Sequence, residues 1–150
     1  MKKAAAWALC AVWMGVIFAM SAMPGDVSGA QSGMITRLIE GVLLLLPGGA
    51  DIPQDIVHLI VRKGAHMAEY AVLFALYRRA LRLSGARRPG MTALVLCAAY
   101  AATDEMHQGF VAGRGPSPVD VAIDTAGAAA MWAVMAGWEG ICREKPTRLQ

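Results

Sequence analysis

The sequence predicts an all-α fold: a polytopic membrane protein with four transmembrane helices and short interfacial helices in the first outer loop. Three observations predict it. Of 150 residues 57% are hydrophobic and the mean hydropathy is +0.46, which is too apolar for an ordinary soluble domain, while the length suits one small domain over residues 1–150. Apolar runs suited to spans recur at about 4–23, 64–81, 91–107 and 119–138. Basic residues gather at alternate ends of those runs, with Arg78, Arg79, Arg82, Arg87 and Arg88 crowded into one short loop.

The first run, Ala4 to Met23, follows Lys2 and Lys3. It exceeds the roughly 7–15 residues of a signal-peptide core, and Ser21-Ala22-Met23 is a poor small-residue cleavage site, so an uncleaved span is expected. Pro24-Gly25 stops it. Beyond the stop, Met34, Ile35, Leu38, Ile39, Val42, Leu45 and Leu46 recur with helical period, and Thr36, Arg37 and Glu40 take the other side. This stretch is short for a span and predicts a helix lying in the interface, closed by Pro47-Gly48-Gly49. Asp51 and Gln54 then form a capping-box spacing that predicts a second short helix through Ile56, Val57, Leu59 and Ile60. The region from about 32 to 62 is thus expected to be an amphipathic outer segment.

The next run, Gly64 to Leu81, has an uncharged core only from Tyr70 to Tyr77, which places His66 and Glu69 at or below the outer interface. Ser84-Gly85 and Pro89-Gly90 mark the turns of the arginine loop. Met91 to about His107 returns outward, and Val119 to Trp138 comes back, with Trp132 and Trp138 as candidate interfacial anchors. Lys2, Lys3, the loop arginines, Arg143, Lys145 and Arg148 then fall inside, against Arg37, Arg62, Lys63 and Arg114 outside, so both termini are expected to be cytoplasmic. The net charge of +3 and pI near 9.0 are accounted for by this topology, and no nucleic-acid-binding pattern is present. Cys10 and Cys97 lie in apolar runs and Cys142 follows the last, which suits packing rather than a disulfide framework.

The chemistry concentrates between Thr103 and Gly127. Asp104 and Gln108 are four residues apart, as are Asp120 and Asp124, so each pair stacks on one helical face. With His66 and Glu69 they fall at the outer ends of three different helices. Ionisable groups at that depth are costly unless they face one another or water, which predicts a shared pocket opening outward. His66, Glu69, Asp104 and Glu105 are the candidate catalytic acid-base groups, since burial tunes a carboxylate or imidazole for proton transfer. Lys63, Tyr70, Gln108, Arg114, Asp120 and Asp124 are the candidate ligand-binding groups; the Arg114 fork suits a phosphate or carboxylate. His66 is expected to bond Glu69 one turn on. The His, Asp and Glu spacing matches no zinc signature, so no metal is expected, and no serine or cysteine is placed as a nucleophile. A network that only pins helices together is the competing reading. Gly127 would allow close helix approach, although Met131 at the next position breaks a GxxxG motif.

These residues resemble the VanZ-like family of small bacterial integral membrane proteins over most of the chain. Ser21, Pro24 and Gly25 look like its S-x-x-P-G, and Lys63, His66, Glu69 and Tyr70 like its K-x-x-H-x-x-E-Y. Asp104, Glu105 and Gln108 look like its D-E-x-x-Q, followed by Gly113-Arg114 and the Asp120 to Gly127 series. Asp124 stands where the family usually has asparagine, and Met131 where a second glycine is frequent. The resemblance implies a multi-pass protein of the bacterial cytoplasmic (inner) membrane and cell envelope, linked by its family to antibiotic resistance, namely to teicoplanin. Its expected partners are membrane lipids and a lipid-linked or cell-wall ligand at the outer leaflet. Neither a cofactor nor an oligomeric state is named by the residues. Two other classes stay open: a membrane-embedded hydrolase or transferase on a lipid-linked substrate, and a structural scaffold or partner subunit.

Overall fold

The computed structural model describes residues 2–24, 33, 36–39, 41 and 52–143. Among them the structure is all helical, with no strand. The long helices are α1 (Lys2–Ser21), α2 (Gln54–Leu83), α3 (Pro89–Gln108) and α4 (Pro118–Arg143). They form an up-down bundle. The Trp7 indole at the start of α1 donates to Ser84 Oγ just past the end of α2 (3.1 Å), and Ser21 at the end of α1 meets Asp104 near the end of α3 (2.7 Å). Central α2 packs against each of the other three helices.

The apolar residues divide between a thin core and a large exposed surface. Cys10, Ile17, Tyr70, Leu73, Phe74, Cys97, Ala101 and Ala128 fill the core, so the expected packing role of Cys10 and Cys97 is what the structure shows. Leu9, Val12, Phe18, Val95, Val134, Trp138 and Ile141 point outward. By contrast Ser21, Arg78, Asp104, Glu105, Gln108 and Asp124 are buried. Placing charge inside and oil outside inverts the partition of a water-soluble protein and suits an apolar solvent.

Among the described residues two helices, α1 and the Pro118–Cys142 part of α4, are long and apolar enough to cross a membrane. Only 22% and 17% of their apolar windows are buried in the bundle, which is not how the core helix of a soluble domain is placed. In α2 and α3 the apolar runs are interrupted by the residues of the polar clusters, among them His66, Glu69, Arg78, Asp104 and Glu105.

The structure departs from the sequence expectations in α2. Instead of a short outer helix followed by a separate span from Gly64, one helix of 30 residues runs from Gln54 to Leu83. Gly64 sits inside it at an exposed position, with nothing nearby that a side chain would meet, so it causes no break. Pro53 holds the cap position of α2 without a side-chain cap bond. Asp51 and most of the proposed interfacial helix, including Met34, Ile35, Glu40 and 42–50, lie outside the described residues, as do Gly25 and the 144–150 tail. Of the candidate anchors, Trp132 stacks against Phe74 with ring centroids 6.2 Å apart and is partly buried, whereas Trp138 is exposed.

A close helix contact is made at Gly127. A Cβ there would lie 2.3 Å from the Met67 carbonyl oxygen and 2.7 Å from its Cα, so only glycine lets α4 reach the α2 backbone. The close approach foreseen for Gly127 is therefore present without a GxxxG repeat.

Candidate functional site

One end of the bundle collects the polar residues. The end of α1, the first half of α2, the end of α3 and the start of α4 meet there with the 113–117 loop. Asp104 and Gln108 share the face their spacing predicts: Gln108 Nε2 donates to Asp104 Oδ2 at 3.1 Å. Ser21 Oγ donates to the same oxygen at 2.7 Å and accepts from Gln108 Nε2 at 3.2 Å. All three residues are buried, so this triangle ties α1 to α3 where both would otherwise leave polar groups in an apolar setting.

The two α4 aspartates turn to α2. Lys63 Nζ forms an ion pair with Asp120 Oδ1, and both side chains are partly exposed. His66 Nδ1 faces Asp124 Oδ1 at 3.6 Å, too long for a hydrogen bond. This corrects the expectation that His66 bonds Glu69 on its own helix. Gly127, one turn beyond Asp124, brings α4 against Met67, and that approach sets Asp124 opposite the imidazole.

Asp124 is fully buried, and neither of its oxygens has a hydrogen-bond partner. It also lies within electrostatic reach of Asp104, Glu105, Glu69 and Asp120. Glu105 is buried too: its Oε2 accepts the Ser117 backbone N–H at 2.8 Å, which pins the connecting loop, while Oε1 is unpartnered. Arg114 is half-buried on that loop, within electrostatic reach of Asp104, Glu105 and Glu69. Burial first, and Arg62 second, push its guanidinium below the usual arginine range, and the three carboxylates pull it back. Its Nε and Nη1 also lack partners.

Glu69 is half-buried, and its backbone carbonyl accepts the Trp13 indole N–H at 3.0 Å, which secures α1 to α2 beside the cluster. Tyr70 is buried with its hydroxyl unpartnered. The candidate residues therefore gather at one end of the bundle, with Tyr70 also part of the apolar core beside it. The structure adds Ser21, the Ser117 amide and a Tyr100 hydroxyl that donates to the Met14 carbonyl at 2.6 Å. Ser21 had a signal in the sequence, since it is a hydroxyl ending an apolar run just before a proline. The Ser117 amide had none, because any residue but proline supplies one. Among the described residues, no group of three or more His, Cys, Asp or Glu side chains is arranged to hold a metal ion.

The family model VanZ/LLP1 matches residues 6–139, from the first turns of α1 to the last turns of α4. The chain belongs to the VanZ family. The match takes in all four long helices and every residue of the polar cluster, so the site is part of the VanZ body of the chain. Neither a curated protein nor a solved structure matches it.

Burying a carboxylate without donors is costly, and a neutral amide of the same shape relieves that cost. Asp124→Asn is therefore expected to leave the thermal unfolding midpoint in detergent unchanged or higher. A loss of more than about 2 kcal/mol would show that Asp124 is held by its charge and contradict this description.

Proposed function

We propose that this VanZ-family chain is a four-span protein of the bacterial cytoplasmic membrane, with both termini inside and the polar cluster facing outward. There it binds a lipid-linked or cell-wall ligand at the outer leaflet, and through that ligand it influences teicoplanin susceptibility. Helix length supports the four spans. At about 1.5 Å per residue, α3 is about 30 Å long, the thickness of a hydrocarbon core. The part of α2 from Gly64 onward is equally long, and the ten residues before it, which carry Asp55, Arg62 and Lys63, would project beyond the core. Arg78, Arg79 and Arg82 lie in the last turns of α2 rather than in the loop, and with Arg87 and Arg88 in the α2–α3 loop they support the orientation, since clustered Lys and Arg beside spans favour the cytoplasmic side.

The observation that carries the ligand reading is an excess of buried polar atoms over partners. Asp104 Oδ1, Glu105 Oε1, both Asp124 oxygens, His107 Nδ1 and the Arg114 Nε and Nη1 are buried without a hydrogen bond. A network serving only to pin helices would close on itself, because each orphaned group costs about 1–3 kcal/mol. Acceptors and a guanidinium fork side by side match a ligand that offers both hydroxyl or ammonium donors and a phosphate or carboxylate.

Two experiments test the reading. In a strain whose teicoplanin tolerance is raised by the chain, Glu105→Gln and Glu69→Gln are each expected to accumulate in the membrane at the parent level and to lose most of that tolerance. The amide at position 105 still accepts the Ser117 N–H, so the fold is kept. Full tolerance in both variants contradicts a ligand site, and loss of the folded protein in both points to a scaffold. For topology, Cys142→Ser removes the exposed native thiol. In that background a membrane-impermeant maleimide applied to intact cells should label Gly115→Cys and spare Arg87→Cys, both being exposed positions. The opposite pattern inverts the topology.

A further inference from the structure

The arginine-rich end of the bundle has a feature that topology alone does not explain. Helix α3 starts at Pro89, behind Arg88, and no side chain caps it. Pro89 has no N–H, and the first bond into the helix runs from the Thr92 N–H to the Arg88 carbonyl at 3.0 Å. The Gly90 and Met91 N–H groups therefore project from the positive end of a 20-residue helix. A cleft of about 420 Å³ lies there, lined by Arg78, Arg88, Pro89, Gly90, Met91 and Trp132.

Arg78 is the second, independent element. It is only 5% exposed, whereas Arg79 and Arg82 in the same turns of α2 are exposed. Its Nη2 donates to Glu139 Oε2 at 2.7 Å, and Glu139 also holds Arg82 at 2.9 Å. The Arg78 Nε and Nη1 have no hydrogen-bond partner. A buried guanidinium with two unfilled donors, lining the same cleft as an uncapped helix N-terminus, has the chemistry that binds a phosphate.

We propose that this cleft binds the phosphate of an anionic phospholipid, which under the topology above belongs to the inner leaflet. The lining favours a lipid over free phosphate. A Cβ on Gly90 would lie 3.0 Å from the Trp132 ring, so glycine keeps the helix end against an apolar indole floor. Met91 is half exposed beside it. A second cleft of about 510 Å³ shares Arg78 and is floored by Ala75, Leu76 and Met135. Acyl chains can lie along these surfaces while the headgroup meets Arg78, Arg88 and the α3 amides. Glu139 neutralises part of the local positive charge, which leaves geometry, rather than charge density alone, to select the headgroup.

The test is native mass spectrometry of the full chain in detergent micelles with phosphatidylglycerol or phosphatidylcholine. Phosphatidylglycerol is expected to bind about tenfold more tightly. Arg88→Gln, an exposed and structurally mild change, should weaken phosphatidylglycerol binding about tenfold, the scale of one charge-assisted hydrogen bond. Arg78→Lys, which keeps the charge and loses the fork, should weaken it similarly. Arg87→Gln makes the same charge change next to the cleft and should alter binding less than about twofold, the limit set for a screened surface charge. Equal retention of the two lipids, or equal loss in the Arg87 and Arg88 variants, would overturn the proposal. Displacement of phosphatidylglycerol by equimolar inorganic phosphate would reassign the site to the free ion and also overturn it.

Discussion

The bundle depends on the cost of ionisable groups in an apolar setting. A carboxylate or guanidinium near the end of an oily helix must find a partner or a polar compartment, and the cost of failing is several kcal/mol per group. Here the four long helices answer by sending such groups to the bundle ends. At one end Asp104, Glu105, Asp120 and Asp124 collect with Lys63, His66 and Arg114. At the other, Glu139 sits between Arg78 and Arg82. Between them the core is a thin apolar layer of Ile17, Tyr70, Leu73, Phe74 and Cys97.

Backbone geometry decides which polar groups meet. Because Gly127 lets α4 touch the Met67 backbone, Asp124 is carried into the interior, where its oxygens find no donor. Asp120, one turn earlier, is partly exposed and takes Lys63 as its partner. The two aspartates thus do different work: one closes an ion pair at the rim, and the other brings an unsatisfied acid into a site that already holds Asp104 and Glu105.

Much of this was legible in the residues. Four-residue spacing gave the Asp104–Gln108 pair, and the depth of His66 and Glu69 in an otherwise apolar run marked the polar end. The helical class followed from apolar runs of the right length. Other parts were hidden for physical reasons. Charged residues and Gly64 in the first half of α2 imitate a break, yet an exposed helical glycine costs only about 1 kcal/mol, and tertiary packing carries the helix through. His66 had an acid one turn away on its own helix, and only the close crossing at Gly127 shows that its neighbour is on another. Arg78 looked like one more member of a topological cluster. Its burial, and its bond to Glu139 some sixty residues later, need the fold to be seen.

The polar helix ends around Asp104 share one interior, and the Ser21–Asp104 contact, which joins residues 83 apart, tests this most directly. A double-mutant cycle of Ser21→Ala and Asp104→Ala, followed by unfolding in detergent, measures their coupling. If the helix ends meet as described, the coupling energy is at least about 1 kcal/mol. Additive losses, with coupling below about 0.3 kcal/mol, would mean that α1 and α3 do not share a polar compartment and would contradict the account.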